Sequence, residues 1–322
     1  MQIDSLRASS INTYKDCQFK YYLQQVIGFE SKAGRKALIG TAFHHVQEFL
    51  ARAKKNKHYL LNDKFTNLDF LTDICYNHYN KKEPGLFQDG DRDIIREYCD
   101  TAWESNYNPL KLNILDIEKQ FDIGIDEPGF RTYENKNMRL RGTIDLVTID
   151  DPETLHIIDW KTGRRTDWID GYLKNEDTLP LDTQFQVYNL ARKVIYPQYK
   201  YCIFTVIYIS EGGPFSFTFE EADLPQQLEN IRRVFAEIRA NDDPQRLIDD
   251  KSRSKEFFKC KYVCQFGDKK DMRQSVCQKY YKLFCAYKEN ELYQLKIDES
   301  CGKTSRRNDY DQPGIFKGTL KL

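Results

Sequence analysis

The stretch from Arg141 to Gly163 constrains this chain more than any other. It runs Arg-Gly-Thr-Ile-Asp-Leu-Val, then a turn containing Asp150-Asp151-Pro152-Glu153, then Ile-Ile-Asp-Trp-Lys-Thr-Gly. Asp-Asp-Pro-Glu between two apolar runs is turn chemistry, so two antiparallel strands joined by a tight turn are expected. Side chains alternate along a strand, which puts Asp159 and Lys161 on one face and Ile158 and Trp160 on the other. A loop centred on Pro152 sets Asp145 opposite Asp159. Two carboxylates then converge beside an ammonium. Left bare, they repel, and one is driven to hold a proton. A divalent cation that favours hard oxygen ligands, Mg2+ or Mn2+, removes that conflict. Held by Asp145 and Asp159 with positions left open, it can activate a water for attack on a phosphate, with Lys161 placing that water or stabilising the charge that develops. The plain alternative is an ordinary hairpin with an exposed Asp–Lys pair, because D-x-K is a common tripeptide.

Other residues add to this set. His44 and Glu48 are four apart on an expected helix and share one face, so His44 can supply an imidazole ligand. His45 competes, but it has no acidic residue at the same spacing. Gln184 and Tyr188 share a face of a later helix, and both can hydrogen-bond a phosphate or a base. Arg139 and Arg141 alternate onto the face of Asp145, and Arg164 and Arg165 follow the D-x-K strand. A solvated surface is the plain reading of such arginines. Flanking a metal site, they can track a phosphate backbone.

Periodicity gives the organisation. Helices are expected over about Ser10 to Val26, Arg35 to Lys55, Leu71 to Tyr79, Ile94 to Trp103, Thr183 to Val194 and Leu224 to Ala240. Short apolar runs read as strands at Ile114 to Ile117, Phe121 to Ile123, Met138 to Ile149, Leu155 to Trp160, Tyr201 to Ile209 and Phe215 to Phe219. The result is an α/β fold: a mixed central sheet flanked by helices, with a helical insertion at about 60–110. From about Lys251 the chain turns basic, cysteine-containing and poor in aliphatic runs. Residues 1–250 are therefore expected as the main domain and 251–322 as a small module packed on the N-terminal segment.

The order G-x-x-x-H-x-x-x-E (Gly40, His44, Glu48), G-x-x-D (Gly142, Asp145), D-x-K (Asp159, Lys161) and Q-x-x-x-Y (Gln184, Tyr188) resembles the RecB-like branch of the PD-(D/E)XK nuclease superfamily. The resemblance spans roughly Ser9 to Tyr188. It implies a restriction-endonuclease-like core. It also implies metal ligation by His44, Asp145, Asp159 and the backbone carbonyl of Trp160, a catalytic Lys161, and DNA contacts from Gln184 and Tyr188. The family often carries Glu where this chain has Asp159, and Asp reaches less far.

The segment around Cys17, Ser-Ser-Ile-Asn-Thr-Tyr-Lys-Asp-Cys-Gln-Phe-Lys-Tyr-Tyr, resembles that of iron–sulfur members of the same branch, the CRISPR-adaptation and AddB-like nucleases. In those, one early cysteine joins three late ones around a 4Fe–4S cluster. Here the resemblance implies Cys17 with Cys260, Cys264 and Cys277, and Cys285 as substitute; Cys301 is a further late cysteine. The spacing between these late cysteines departs from the commoner one. Zn2+ on the same thiolates, and free buried thiols, are the other readings. Cys75, Cys99 and Cys202 fall in apolar patterned segments and read as core.

Composition sets limits. Lys plus Arg and Asp plus Glu are 49 each, so any nucleic-acid contact rests on local charge. The first residues lack a signal-peptide core, no stretch approaches a membrane span, and the nine cysteines are an odd number. A reducing, cytoplasmic setting is expected. The function expected is a Mg2+- or Mn2+-dependent DNA exonuclease acting on single strands or ends, with a helicase or recombination protein as the kind of partner. Two rivals stay open: a DNA-binding clamp on the same fold without turnover, and a metal-dependent RNA endonuclease.

Overall fold

The expected hairpin forms the middle of a seven-stranded sheet in the computed structural model, which describes residues 1, 3–29, 34–60, 62–132, 134–166, 171–247, 255–286 and 314–320. In chain order the elements are β1 (Ser5–Arg7), α1 (Ala8–Asp16), α2 (Gln18–Tyr21), α3 (Arg35–Lys55), α4 (Leu68–Lys82), α5 (Asp91–Glu104), β2 (Ile114–Ile125), β3 (Arg139–Asp151) and β4 (Thr154–Lys161). They continue with α6 (Thr183–Ile195), β5 (Tyr201–Tyr208), β6 (Gly212–Phe219), α7 (Leu224–Ala240), α8 (Lys255–Phe258), α9 (Val276–Ala286) and β7 (Phe316–Leu320).

The sheet order is β6-β5-β4-β3-β2-β7, with β1 pairing parallel to the start of β3. β3 runs antiparallel to both β2 and β4, while β5 runs parallel to β4, so the sheet is mixed as expected. One core packs α3, α4 and α5 on Leu146, Ile158, Trp160 and Ile207. The other packs the N-terminal segment, α6 and α7 on Ile144, Val147, Leu155, Ile157 and Phe204. Burying both sheet faces explains the near-continuous apolar run in β4, since alternation survives only where one face meets water. Among the described residues, no helix is long and apolar enough to cross a membrane.

Several elements differ from the sequence expectation. The first helix is interrupted at Cys17, whose backbone is extended (φ −163°, ψ 107°) and whose Sγ accepts the Lys20 N–H at 3.4 Å. A π-helical turn, Tyr22–Ile27, follows α2 and ends at Gly28 in the left-handed region. The two short strands expected near Ile114 and Phe121 are one strand, β2, irregular between Ile114 and Asp116 and with Glu118 at φ 48°. In α3, Leu38, Ala42, Val46 and Leu50 are buried, whereas Phe49 is exposed.

β1 and β7 were not expected. β7 adds parallel to β2, so part of the segment expected as an appended module completes the central sheet. α9 lies against the N-terminal segment through aromatic contacts, Phe19 with Tyr281 at 5.0 Å and Tyr22 with Phe284 at 5.3 Å. The expected boundary near Lys251, and Cys301, lie outside the described residues.

Candidate active site

The site forms where α3 crosses the open end of the β3–β4 hairpin. The register pairs Ile149 with Leu155 through to Leu146 with Ile158. Carried one residue further, it sets Asp145 against Asp159. α3 approaches closely because position 40 is glycine: a Cβ there would stand 2.5 Å from Thr162 Oγ1, just past the D-x-K strand. Gly142 plays the same part in β3. A Cβ would meet the Phe121 ring at 2.6 Å and the Tyr188 ring at 3.4 Å.

His44 Nδ1 lies 3.3 Å from Asp145 Oδ2, and the main chain of Trp160 hydrogen-bonds both residues. His45 points elsewhere, with its Nδ1 2.8 Å from the Tyr79 hydroxyl. Lys161 Nζ lies 2.7 Å from Asp159 Oδ2 and 3.0 Å from Oδ1. Gln184 bridges the pair, accepting from Lys161 at 3.4 Å and donating to Asp159 Oδ1 at 3.4 Å.

Burial shapes the electrostatics. It pushes the Asp145 carboxyl up to about 6, against the opposing pull of Lys161. It does the same to Asp159, again to about 6, with Lys161 lowering and Asp145 raising the value. Burial lowers His44 to about 4, so the imidazole is neutral and able to act as a ligand near neutral pH. Burial alone would also lower Lys161, but Asp159 and Asp145 outweigh it and the ammonium is held charged.

A residue absent from the sequence-derived set joins this cluster. Glu118 of β2 brings a carboxylate oxygen so near His44 and Asp145 that the three ligand atoms all lie within 4.8 Å of one another. Burial, then Asp145 and Glu48, push its carboxyl up to about 8. Asp145 Oδ2 is shut off from solvent and accepts no hydrogen bond. A neutral imidazole, converging carboxylates and an orphaned buried oxygen fit a hard divalent cation. The sequence signal for Glu118 was weak: Glu118-Lys119-Gln120 breaks the apolar run, so this part of β2 read as a gap between strands.

The expected nucleic-acid contacts are placed unevenly. Tyr188 is buried and its hydroxyl donates to the Thr143 carbonyl at 2.6 Å, so it braces α6 on β3. Gln184, four residues before it, is only half-buried. Arg139 and Arg141 do share a face, but both turn to the buried Asp122, at 2.5 and 3.2 Å, which offsets much of their charge. Arg164 is exposed, and Arg165 lies over the Phe215 ring at 4.6 Å.

Far along the chain, Cys17, Cys260, Cys264 and Cys277 line one pocket, together with Lys20 and Arg246. Burial raises the Cys260, Cys264 and Cys277 thiols, and Cys17 raises each of them further, which places the four within electrostatic reach. Backbone N–H groups of Phe266 and Gly267 pull the other way at Cys264, as donors to a thiolate do. Four sulfurs with main-chain donors fit a thiolate-bound metal centre. Cys285 is exposed and does not line the pocket, and Cys75, Cys99 and Cys202 are buried in the cores as expected.

No curated protein matches the chain. Among solved structures, it is similar to a candidate exonuclease from Eubacterium rectale, at 13% identity and a TM-score of 0.45, covering 76% of this chain and 84% of that one. It is also similar to the protein SSO0001, at 10% identity and a TM-score of 0.23, covering 69% and 82%. Residues 5–268, from β1 to just short of α9, match the sequence profile of one family, and this span contains both hairpin strands, the α3 histidine and the glutamine of α6. The chain belongs to the PD-(D/E)XK nuclease superfamily.

Proposed function

We propose that this protein is a divalent-metal-dependent DNA exonuclease, hydrolysing phosphodiester bonds at strand ends or in single strands. The observation that carries the reading is the convergence of His44, Asp145, Asp159 and Lys161 at one end of the hairpin. His44, Asp145, Asp159 and the Trp160 carbonyl would hold Mg2+ or Mn2+. When bound, the cation supplies a Lewis acid and lowers the pKa of a coordinated water. The chain's own residues do the rest. Lys161, held by Asp159 and Gln184, presents a fixed positive charge to the scissile phosphate. Gln184 can turn its amide to a phosphate oxygen or base, and exposed Arg164 with Arg165 can take the adjoining backbone. Action at ends is favoured over sequence-specific cutting because the described residues outside the nuclease core include no separate base-reading domain.

The test offers labelled linear single-stranded DNA, the same sequence as a closed circle, and matched RNA, each with Mn2+ or Mg2+. Loss of the linear DNA with survival of the circle and the RNA is the expected result. Cutting of the circle would make it an endonuclease, and preference for RNA would transfer the site to that substrate.

The four pocket cysteines are proposed to hold a 4Fe–4S cluster that clasps the N-terminal segment to residues 255–286. This reading is supported by their shared pocket and by the donors to Cys264. Anaerobically purified protein should be brown and contain iron and sulfide. Colourless protein with stoichiometric zinc would assign the thiolates to Zn2+ instead.

A further inference from the structure

Glu118 belongs to none of the sequence motifs, yet its carboxylate reaches the heart of the site. We infer that Glu118 is a direct ligand of the divalent cation, a third carboxylate supplied by β2 in addition to the two from the hairpin. The inference rests on the metal-dependent reading above and names a residue that the motifs leave out.

Three observations carry it. First, the ligand atoms of His44, Glu118 and Asp145 lie within 4.8 Å of one another. Around one octahedral ion with bonds of about 2.1 Å, ligand atoms lie roughly 3 to 4.2 Å apart, so small side-chain movements close the set. Second, Asp145 Oδ2 is sealed from solvent and accepts no well-formed hydrogen bond, with only the His44 ring nitrogen beside it at 3.3 Å, an arrangement that a cation between the two satisfies. Third, Glu118 has no compensating charge of its own. Among the described residues it makes no hydrogen bond or ion pair, and Arg52, whose field reaches it, is engaged by Glu48 at 2.7 Å. A partly buried carboxylate facing a second carboxylate, with the guanidinium within reach already paired elsewhere, is a cost to the fold.

The left-handed backbone at Glu118, φ 48°, falls at the β2 position facing Asp145 in the β2–β3 register. It is an uncommon conformation for a non-glycine residue within a strand. A residue kept there without stabilising contacts is better explained by what it binds than by what it packs.

The experiment measures Mn2+ binding to the full chain, by calorimetry and by the spin-resonance signal of free Mn2+, alongside the melting temperature without metal. Glu118→Gln keeps the shape and removes the charge. It should bind Mn2+ at least about tenfold more weakly than wild type, by comparison with ligand-shell losses at other metal sites. Its metal-free melting temperature should equal or exceed that of wild type. Glu118→Asp, still charged, should keep more of the affinity than Glu118→Gln. Wild-type affinity in Glu118→Gln would overturn the inference while leaving the metal-dependent reading intact. So would equal losses in the Asp and Gln variants, because shape and not charge would then be the cause. Absence of Mn2+ binding in wild type would overturn the underlying reading itself.

Discussion

Lys161 lies 2.7 Å from Asp159 and within reach of Gln184, so its ammonium is aimed before any phosphate arrives. It is not placed to bind the cation. Lys161→Ala should therefore bind Mn2+ within a few-fold of wild type while cleavage falls at least about 100-fold, the scale of losing one fixed charge-stabilising group. Loss of Mn2+ binding in that variant would show that Lys161 only organises the ligands. The carboxylates predict a pH effect. Asp145 and Asp159 are held near 6, above an ordinary carboxylate near about 4, so the folded chain binds more protons than the unfolded one across that window. Metal-free stability should decline as pH rises through about 6, and protons should compete with Mn2+ below it. The melting-temperature gain from Mn2+ should be larger at pH 7.5 than at pH 5, and equal gains would contradict this account. Asp145, Asp159 and Lys161 were legible in the sequence because strand alternation is fixed by covalent geometry. The pairing of Arg139 and Arg141 with Asp122 was not legible, because Asp122 becomes their neighbour only through the β2–β3 register.

At the scale of elements, two glycines set how closely the active-site elements approach. Gly142 leaves room for the Phe121 and Tyr188 rings, and Tyr188 in turn ties α6 to β3 through Thr143. Gly142→Ala should destabilise the protein by about 1–3 kcal/mol through overpacking, read from urea unfolding, and should lower cleavage by loosening α6. Unchanged stability would mean the rings move aside freely. The glycine-bearing motifs were readable as strings. Their physical purpose, close approach between elements distant in sequence, needed the fold. Helix α3 was legible to its ends because apolar residues recur at its spacing. The break at Cys17 was not, since the surrounding residues keep a helix-like pattern and only a local cap and the packed C-terminal segment reveal it.

For the whole molecule, the question is how distant segments are tied together. β7 completes the sheet beside β2, and α9 packs on the N-terminal segment beside the cysteine pocket. Cys17→Ser is a clean probe of that tie, because serine retains the cap on the Lys20 N–H while removing the thiolate. Residues 255–286 should then exchange amide hydrogens faster and the melting temperature should fall, while Mn2+-dependent cleavage at low temperature changes little. Exchange identical to wild type would show that the four thiols share no ligand. β7 escaped the sequence reading because a five-residue strand has too few alternations to stand out from its surroundings. The central claim, that this fold is a metal-dependent nuclease working from the hairpin, is tested most directly by comparing wild type with Asp145→Asn on end-labelled linear single-stranded DNA, in Mn2+ and in a chelator. The account predicts degradation by wild type in Mn2+ alone, and none by Asp145→Asn in either condition. Degradation that persists in the chelator, or in purified Asp145→Asn, would contradict it.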